Sequence, residues 1–301
     1  MDDQNKNLII ASVLSFIVIV VWFLLFPPAD QVQPTTPDAV TQQVEGVLPP
    51  PTAEPGTTPG VAPGASAQAT PETAPRLAIE TPRLAGSVSL VGGRIDDLEL
   101  TGYRQTLDET SPYVRLLSPI GAQGAYYALY GWAPGGTLDY AQMPGPNTPW
   151  TLASGDRLGV GTPVELVWDN GQGLVFHQKM AIDENYMFTV TQSVENNTGA
   201  EVRLAPYGIV ARHGLPADLQ NFFILHEGVV QMADGKLTEV KYKKMADLPR
   251  SDREGGARAE TVDVSANGWI GFTDKYWMTT LVPMPGQSFT AVAKYLSLIH
   301  I

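Results

Sequence analysis

Only a few groupings of side chains in this sequence could do chemistry. Two carboxylate pairs, Asp96-Asp97 and Asp183-Glu184, offer the acid and base that glycoside hydrolysis needs. Adjacent residues of a strand point to opposite faces, so neither pair converges on one substrate, and solvation at surfaces and turns accounts for them better. The histidines are His177, His213, His226 and His300. His226-Glu227 is not followed by H-E-x-x-H or any other ligand spacing, so metal binding is not expected. His213 in RHG and His226 in LHEG flank one region and could meet across strands to act on a sugar hydroxyl, although ordinary hydrogen-bonded imidazoles are the stronger expectation. DNGQG, Asp169 to Gly173, is too short and too weakly acidic for a calcium loop. There is no G-x-S-x-G, no phosphate loop and no cysteine. NNT at Asn196 fits a glycosylation sequon and makes an equally good turn. No catalytic, cofactor-binding or metal-binding residue is therefore expected, and no cofactor. The aromatic clusters AYYALYGW, with Tyr126, Tyr127, Tyr130 and Trp132, and DKYWMTT, with Tyr276 and Trp277, suit an interface or a sugar platform, with core packing preferred.

The elements that carry these residues read as strands. YMFTVTQSV places Tyr186, Phe188, Val190 and Val194 on one face, and GLVFHQKMAI places Leu174, Phe176, Met180 and Ile182 on one side. DEN, Asp183 to Asn185, joins them as a tight turn, and NNTG leads on into EVRLAPYGIVAR, so an antiparallel meander is expected. Further strands are expected at Ser87 to Val91, Arg94 to Thr101, Tyr113 to Leu117, Ala125 to Gly131 and Pro163 to Trp168. Others follow at Phe222 to Val230, Leu237 to Tyr242, Trp269 to Thr273, Tyr276 to Val282 and Ser288 to Ala293. Gly92-Gly93, Asn170-Gly171 and Asp234-Gly235 punctuate them. So many strands without a convincing amphipathic helix call for two large packed sheets, because a single open sheet exposes a face and two edges.

Before the strands the texture differs. From Leu8 to Phe26 there are 19 residues without a charge. As a helix they cover about 28 Å, enough to span a bilayer. They run straight into Pro27 and Pro28 with no small-residue cleavage site, which favours a retained anchor over a cleaved signal. Lys6 precedes the span, and the 49 residues from Pro27 to Pro75 hold no Lys or Arg, so the N-terminus is expected in the cytoplasm and the rest outside it. Twelve prolines and five acidic residues in that stretch describe a disordered tether. The net charge of −12, from 19 basic and 31 acidic residues, argues against nucleic acid as a partner and against a surface that clings to anionic lipid, so membrane attachment is expected from the helix.

Several segments in order carry a family resemblance: the opening MDDQNKNLIIASVLSFIVIVVWFLLFP, then GGRIDDLELTGYRQTL, NYMFTVTQSVENNTG, PYGIVARHG, FFILHEGVV and GFTDKYWMTTLVP. Together they resemble the N-terminal half of the YidC-type membrane protein insertase in its alphaproteobacterial form. The resemblance implies a cytoplasmic N-terminus (1–7), a transmembrane anchor helix (8–26), a Pro-rich linker (27–75) and a mainly β periplasmic domain (76–295). The domain would have the antiparallel β-supersandwich fold seen in galactose mutarotases. It further implies a non-enzymatic role in inserting nascent membrane proteins into the bacterial inner membrane, alone or beside the Sec translocon and its SecDF accessory complex. The family's insertion groove lies in a later bundle of five helices that has no counterpart here, so no groove residue carries over. The closing YLSLIHI departs from the family pattern, and residues 296–301 are expected to be a non-native tail. The competing expectations are an anchored carbohydrate-binding or sugar-converting domain and a plain docking scaffold.

Overall fold

The computed structural model describes residues 74–219 and 225–296. The expected anchor, nearly all of the linker and the last five residues lie outside them. Within them the chain forms seventeen strands. They are β1 (Arg76–Glu80), β2 (Leu84–Ser89), β3 (Arg94–Arg104), β4 (Tyr113–Leu117), β5 (Tyr126–Gly135), β6 (Thr151–Ser154), β7 (Val164–Asp169), β8 (Leu174–Ile182) and β9 (Phe188–Asn196). There follow β10 (Arg203–Arg212), β11 (Gly228–Ala233), β12 (Lys236–Lys241), β13 (Arg250–Ser251), β14 (Ala257–Val264), β15 (Gly268–Thr273), β16 (Met278–Leu281) and β17 (Phe289–Tyr295). Every ladder between these strands is antiparallel. No helix among the described residues is long and apolar enough to cross a membrane.

The strands hydrogen-bond into four sheets rather than the two expected. They are β1-β2-β3-β5-β10 with β4 beside β3, β6-β7-β8-β9, β12-β11-β15-β16, and β13-β14-β17. The first two share one core. β8 alternates strictly, burying Leu174, Phe176, Met180 and Ile182, and these pack with Leu77, Ile79, Val88 and Ile95 of the first sheet. Trp132 sits at the centre, with its ring centroid 5.1 Å from Phe176 and 6.3 Å from Trp150. Two glutamines cross the interface. Gln178 Nε2 donates to the Tyr130 carbonyl at 2.9 Å, and Gln192 Nε2 donates to that of Gly131 at 2.7 Å. Each glutamine gives its side-chain NH2 a main-chain acceptor across the sheets, as polar groups placed there require.

The other two sheets close a smaller core of Val229, Met245, Leu248 and Ala293, to which Val240, Ile270 and Phe272 add partly buried surface. This separate core explains the difference from the expected pair of sheets: β11 to β17 bury their own apolar residues instead of extending the first two. The hairpin at Gly92-Gly93 has φ of 78° and 60°, and a Cβ on Gly93 would lie 2.9 Å from Gln178 Oε1. Glycine answers both the backbone and the crowding there.

Boundaries moved where polarity or irregular backbone overrode pattern. Strands β6, β13 and β14 carry no strong alternation, β1 alternates over only five residues, and none of the four was expected. Of the strand expected at Phe222 to Val230, the described residues 225–227 are irregular, and pairing begins at Gly228. The linker's expected last residues already belong to the fold: Ala74 is buried, and the Pro75 carbonyl accepts from Leu90 N at 2.9 Å.

Candidate functional site

The densest convergence of ionisable and aromatic groups lies where the first sheet meets the β12-β11-β15-β16 sheet. Arg212 ends β10 and is paired in register with Tyr126, the first residue of β5. Asp274 follows β15, and Tyr242 follows β12. The Arg212 guanidinium is ion-paired with Asp274 Oδ2, and the Tyr242 hydroxyl donates to Asp274 Oδ1 at 2.8 Å. The same guanidinium lies 4.0 Å from the centroid of the Tyr126 ring and 5.6 Å from that of Tyr242. Phe272 completes the cage, stacked on Tyr242 at 5.7 Å and edge-on to Tyr126 at 6.1 Å. Cation–π contacts and a shared carboxylate thus hold one cation from several sides.

Burial pushes the Asp274 carboxyl above its ordinary range despite the pull of Arg212 and Tyr242, and the charges of Asp218 and Glu227 add to the push. Desolvation raises the Tyr126 phenol to about 12 and raises that of Tyr242 as well. Both Asp274 oxygens are committed to partners. The arrangement therefore suits holding two sheets together better than moving protons.

The two histidines of this neighbourhood are ordinary hydrogen-bonded imidazoles, the stronger of the two expectations, and do not meet across strands. His213 and His226 each have their own partner: His213 Nε2 lies 3.3 Å from the Tyr127 hydroxyl, and His226 Nε2 lies 2.9 Å from the Val229 carbonyl. Their neighbours Arg212 and Glu227 are among the groups that act on Asp274, with Tyr242 and Asp218. Burial lowers the proton affinity of His213, which keeps it neutral near pH 7. Arg212 and Asp274 stand 62 residues apart, and no spacing rule links them.

The remaining candidates are dispersed. Asp96 is buried and paired with Arg76 and Arg94, whereas Asp97 faces the other way to Arg115 and Ser87. Asp183 Oδ1 accepts from the amides of Asn185 and Met187, fixing the turn before β9, where Tyr186 has φ of 71°. Asp169 and Asn170 likewise spend their side-chain oxygens on the amides of Gly171, Gln172 and Leu174. Asn196 Oδ1 takes the Thr198 amide at 3.0 Å. His177 sits between Glu165 at 2.9 Å and Glu195 at 3.4 Å, and His300 is outside the described residues. Among the described residues no group of three or more His, Asp or Glu side chains is placed to hold a metal ion. Tyr126, Tyr127 and Trp132 are buried, so AYYALYGW faces the interior, while Tyr276 is 71% exposed and Trp277 packs edge-on against Tyr103 at 4.8 Å.

The described residues form a mainly β, all-antiparallel domain, and comparison with known proteins specifies its family. The model of the YidC periplasmic domain family matches residues 76–299, and the chain belongs to that family. It is 60% identical to the membrane protein insertase YidC of Cereibacter sphaeroides strain KD131 over 98% of the chain and 46% of that relative. It is 60% identical to that of Dinoroseobacter shibae, over 98% of the chain and 49% of the relative. It is 54% identical to that of Ruegeria pomeroyi over the same shares. The chain spans about half the length of the curated relatives it matches.

Proposed function

We propose that this chain is the anchored, extracytoplasmic part of a membrane protein insertase, assisting the entry of nascent membrane proteins into the bacterial inner membrane. The observation that carries the reading is the family match across residues 76–299, together with relatives that bear the insertase name along 98% of the chain. Residues 8–26 serve as the membrane span, 27–73 as the tether, and 1–7 stay in the cytoplasm. The charge-free run and the absence of Lys and Arg after it support that orientation. The two cores and four sheets are the two packed halves of a β-supersandwich. Nascent membrane proteins, the Sec translocon and the SecDF accessory complex are the partners. Work of this kind draws on binding energy, so a site built for holding rather than for bond chemistry is in keeping with it. A sugar-binding alternative loses its best platform with Trp132 buried in the core.

The test is complementation. In cells depleted of their insertase, a gene in which this chain is continued by the remainder of a relative's sequence restores growth, and the 301-residue form alone does not. Rescue by the 301-residue form would refute the view that insertion needs the segments beyond it.

A further inference from the structure

One face of the β12-β11-β15-β16 sheet carries exposed apolar residues on its edge strands and is bordered by lysines, while Val230 on its middle strand is buried. Directly opposed residues of antiparallel strands share a face. The register therefore sets Leu237, Met232 and Trp269 in one row, and Lys241, Gly228, Thr273 and Met278 in another. Val282 lies one step beyond the Ile270–Leu281 pair and continues the first row. Val229, Val240, Ile270 and Phe272 point the other way, into the second core. On the outward face Leu237 is 51%, Met278 47% and Val282 55% exposed, and Tyr276 and Met284, flanking β16, are each 71% exposed.

Five of the eight lysines of the chain, Lys236, Lys241, Lys243, Lys244 and Lys275, belong to β12, the 3-10 turn Tyr242–Asp247 after it, and the connection from β15 to β16. The nearby acidic residues on these segments are fewer and partly committed. Glu239 shares the outward face, Asp247 pairs with Lys244 at 3.1 Å, and Asp234 accepts from the amides of Ser265, Ala266 and Asn267. Asp218 and Glu227 act on Lys275 and Asp274 lies beside it, so the cationic part of this corner is the run Lys241, Lys243 and Lys244, which holds no acidic residue in a chain of net charge −12.

We propose that this face docks on an anionic bilayer surface, with its Met, Val, Leu and Trp side chains at the headgroup boundary and its lysines on lipid phosphates. An aromatic and aliphatic patch bordered by long basic side chains is the composition that binds such surfaces. The other occupants fit less well. A second copy meeting this face about a two-fold axis would bring lysines against lysines. An uncharged polypeptide segment would use the apolar rows and leave the lysine border without a counterpart. The inference rests on the reading of the chain as membrane-attached.

The absence of cysteine allows a single reporter on the full chain. A fluorophore on Met278→Cys, in vesicles carrying nitroxide-labelled lipid, is compared with one on Leu107→Cys, an exposed position in the β3–β4 connection. With phosphatidylglycerol present, quenching at 278 exceeds that at 107 several-fold. Each of Lys241→Glu, Lys243→Glu and Lys244→Glu lowers docking about fivefold or more, and about 0.5 M salt abolishes the difference. Equal quenching at the two positions, or quenching at 278 indifferent to lipid charge and salt, overturns the proposal. Carbonate extraction run alongside separates the two readings. A chain that leaves the membrane refutes attachment, and a chain that remains without quenching at 278 refutes docking alone.

Discussion

At the scale of single residues, the Arg212–Asp274–Tyr242 cluster is the strongest polar feature, and its energetics follow from burial. The Arg212 and Asp274 side chains are 11% and 16% exposed, so removing one leaves a nearly buried charge without its partner. Arg212→Met is expected to cost about 3–5 kcal/mol, whereas Tyr242→Phe, which deletes one hydrogen bond to a charged acceptor, costs about 1.5–3 kcal/mol. Urea denaturation of both variants and of the double variant gives these values, and a coupling energy above about 0.5 kcal/mol marks the three groups as one unit. Two carboxylates make the stability depend on pH with opposite signs. Amides of Ser265, Asn267 and Ala266 hold the Asp234 carboxyl down to about 2, so its support is present above the ordinary value of 3.8 and lost as pH falls toward 2. The Asp274 carboxyl is raised by burial, so its ionisation costs the folded state, and that cost fades as pH falls through the raised value. Asp234→Asn therefore flattens the acid limb of a stability–pH curve, and Asp274→Asn flattens the part above pH 3.8, both read from chemical denaturation across pH.

At the scale of elements, alternation was legible and pairing over distance was not. β8 and β9 could be read because strictly alternating apolar residues flank a turn whose Asp183 caps its own amides. β14, ARAETVDV, puts only Ala259 and Val264 fully inside, and β1 is five residues long, so neither announced itself. The candidate site was hidden for a similar reason. A strand sends neighbours to opposite sides, so the conspicuous histidines at 213 and 226 and their plainer neighbours at 212 and 227 have different fates, and Asp274 lies too far along the chain for any local pattern to reach. Two substitutions test the packing of elements. Trp132→Ala, which empties the centre of the first core, costs about 3–5 kcal/mol in thermal or urea unfolding. A Cβ on Gly271 would meet the Thr279 carbonyl at 2.0 Å, so Gly271→Ala forces β15 and β16 apart. It costs about 1–3 kcal/mol and raises amide exchange at Thr279 and Leu281 more than in β8.

At the scale of the whole molecule, the fold supplies a β domain with two main cores and a third buried cluster of Tyr127, Leu129 and Ala211, and the sequence before it supplies a charge-free run of bilayer length and a proline-rich stretch. In the function proposed for the chain, this arrangement holds the domain on the outer side of the inner membrane. Labelling of single cysteines in intact spheroplasts with a membrane-impermeant maleimide tests it most directly, since the natural chain has no cysteine to interfere. The account predicts that Leu107→Cys is labelled while Asn5→Cys reacts only after the membrane is opened. Labelling of residue 5 in intact spheroplasts, or protection of residue 107, would contradict it.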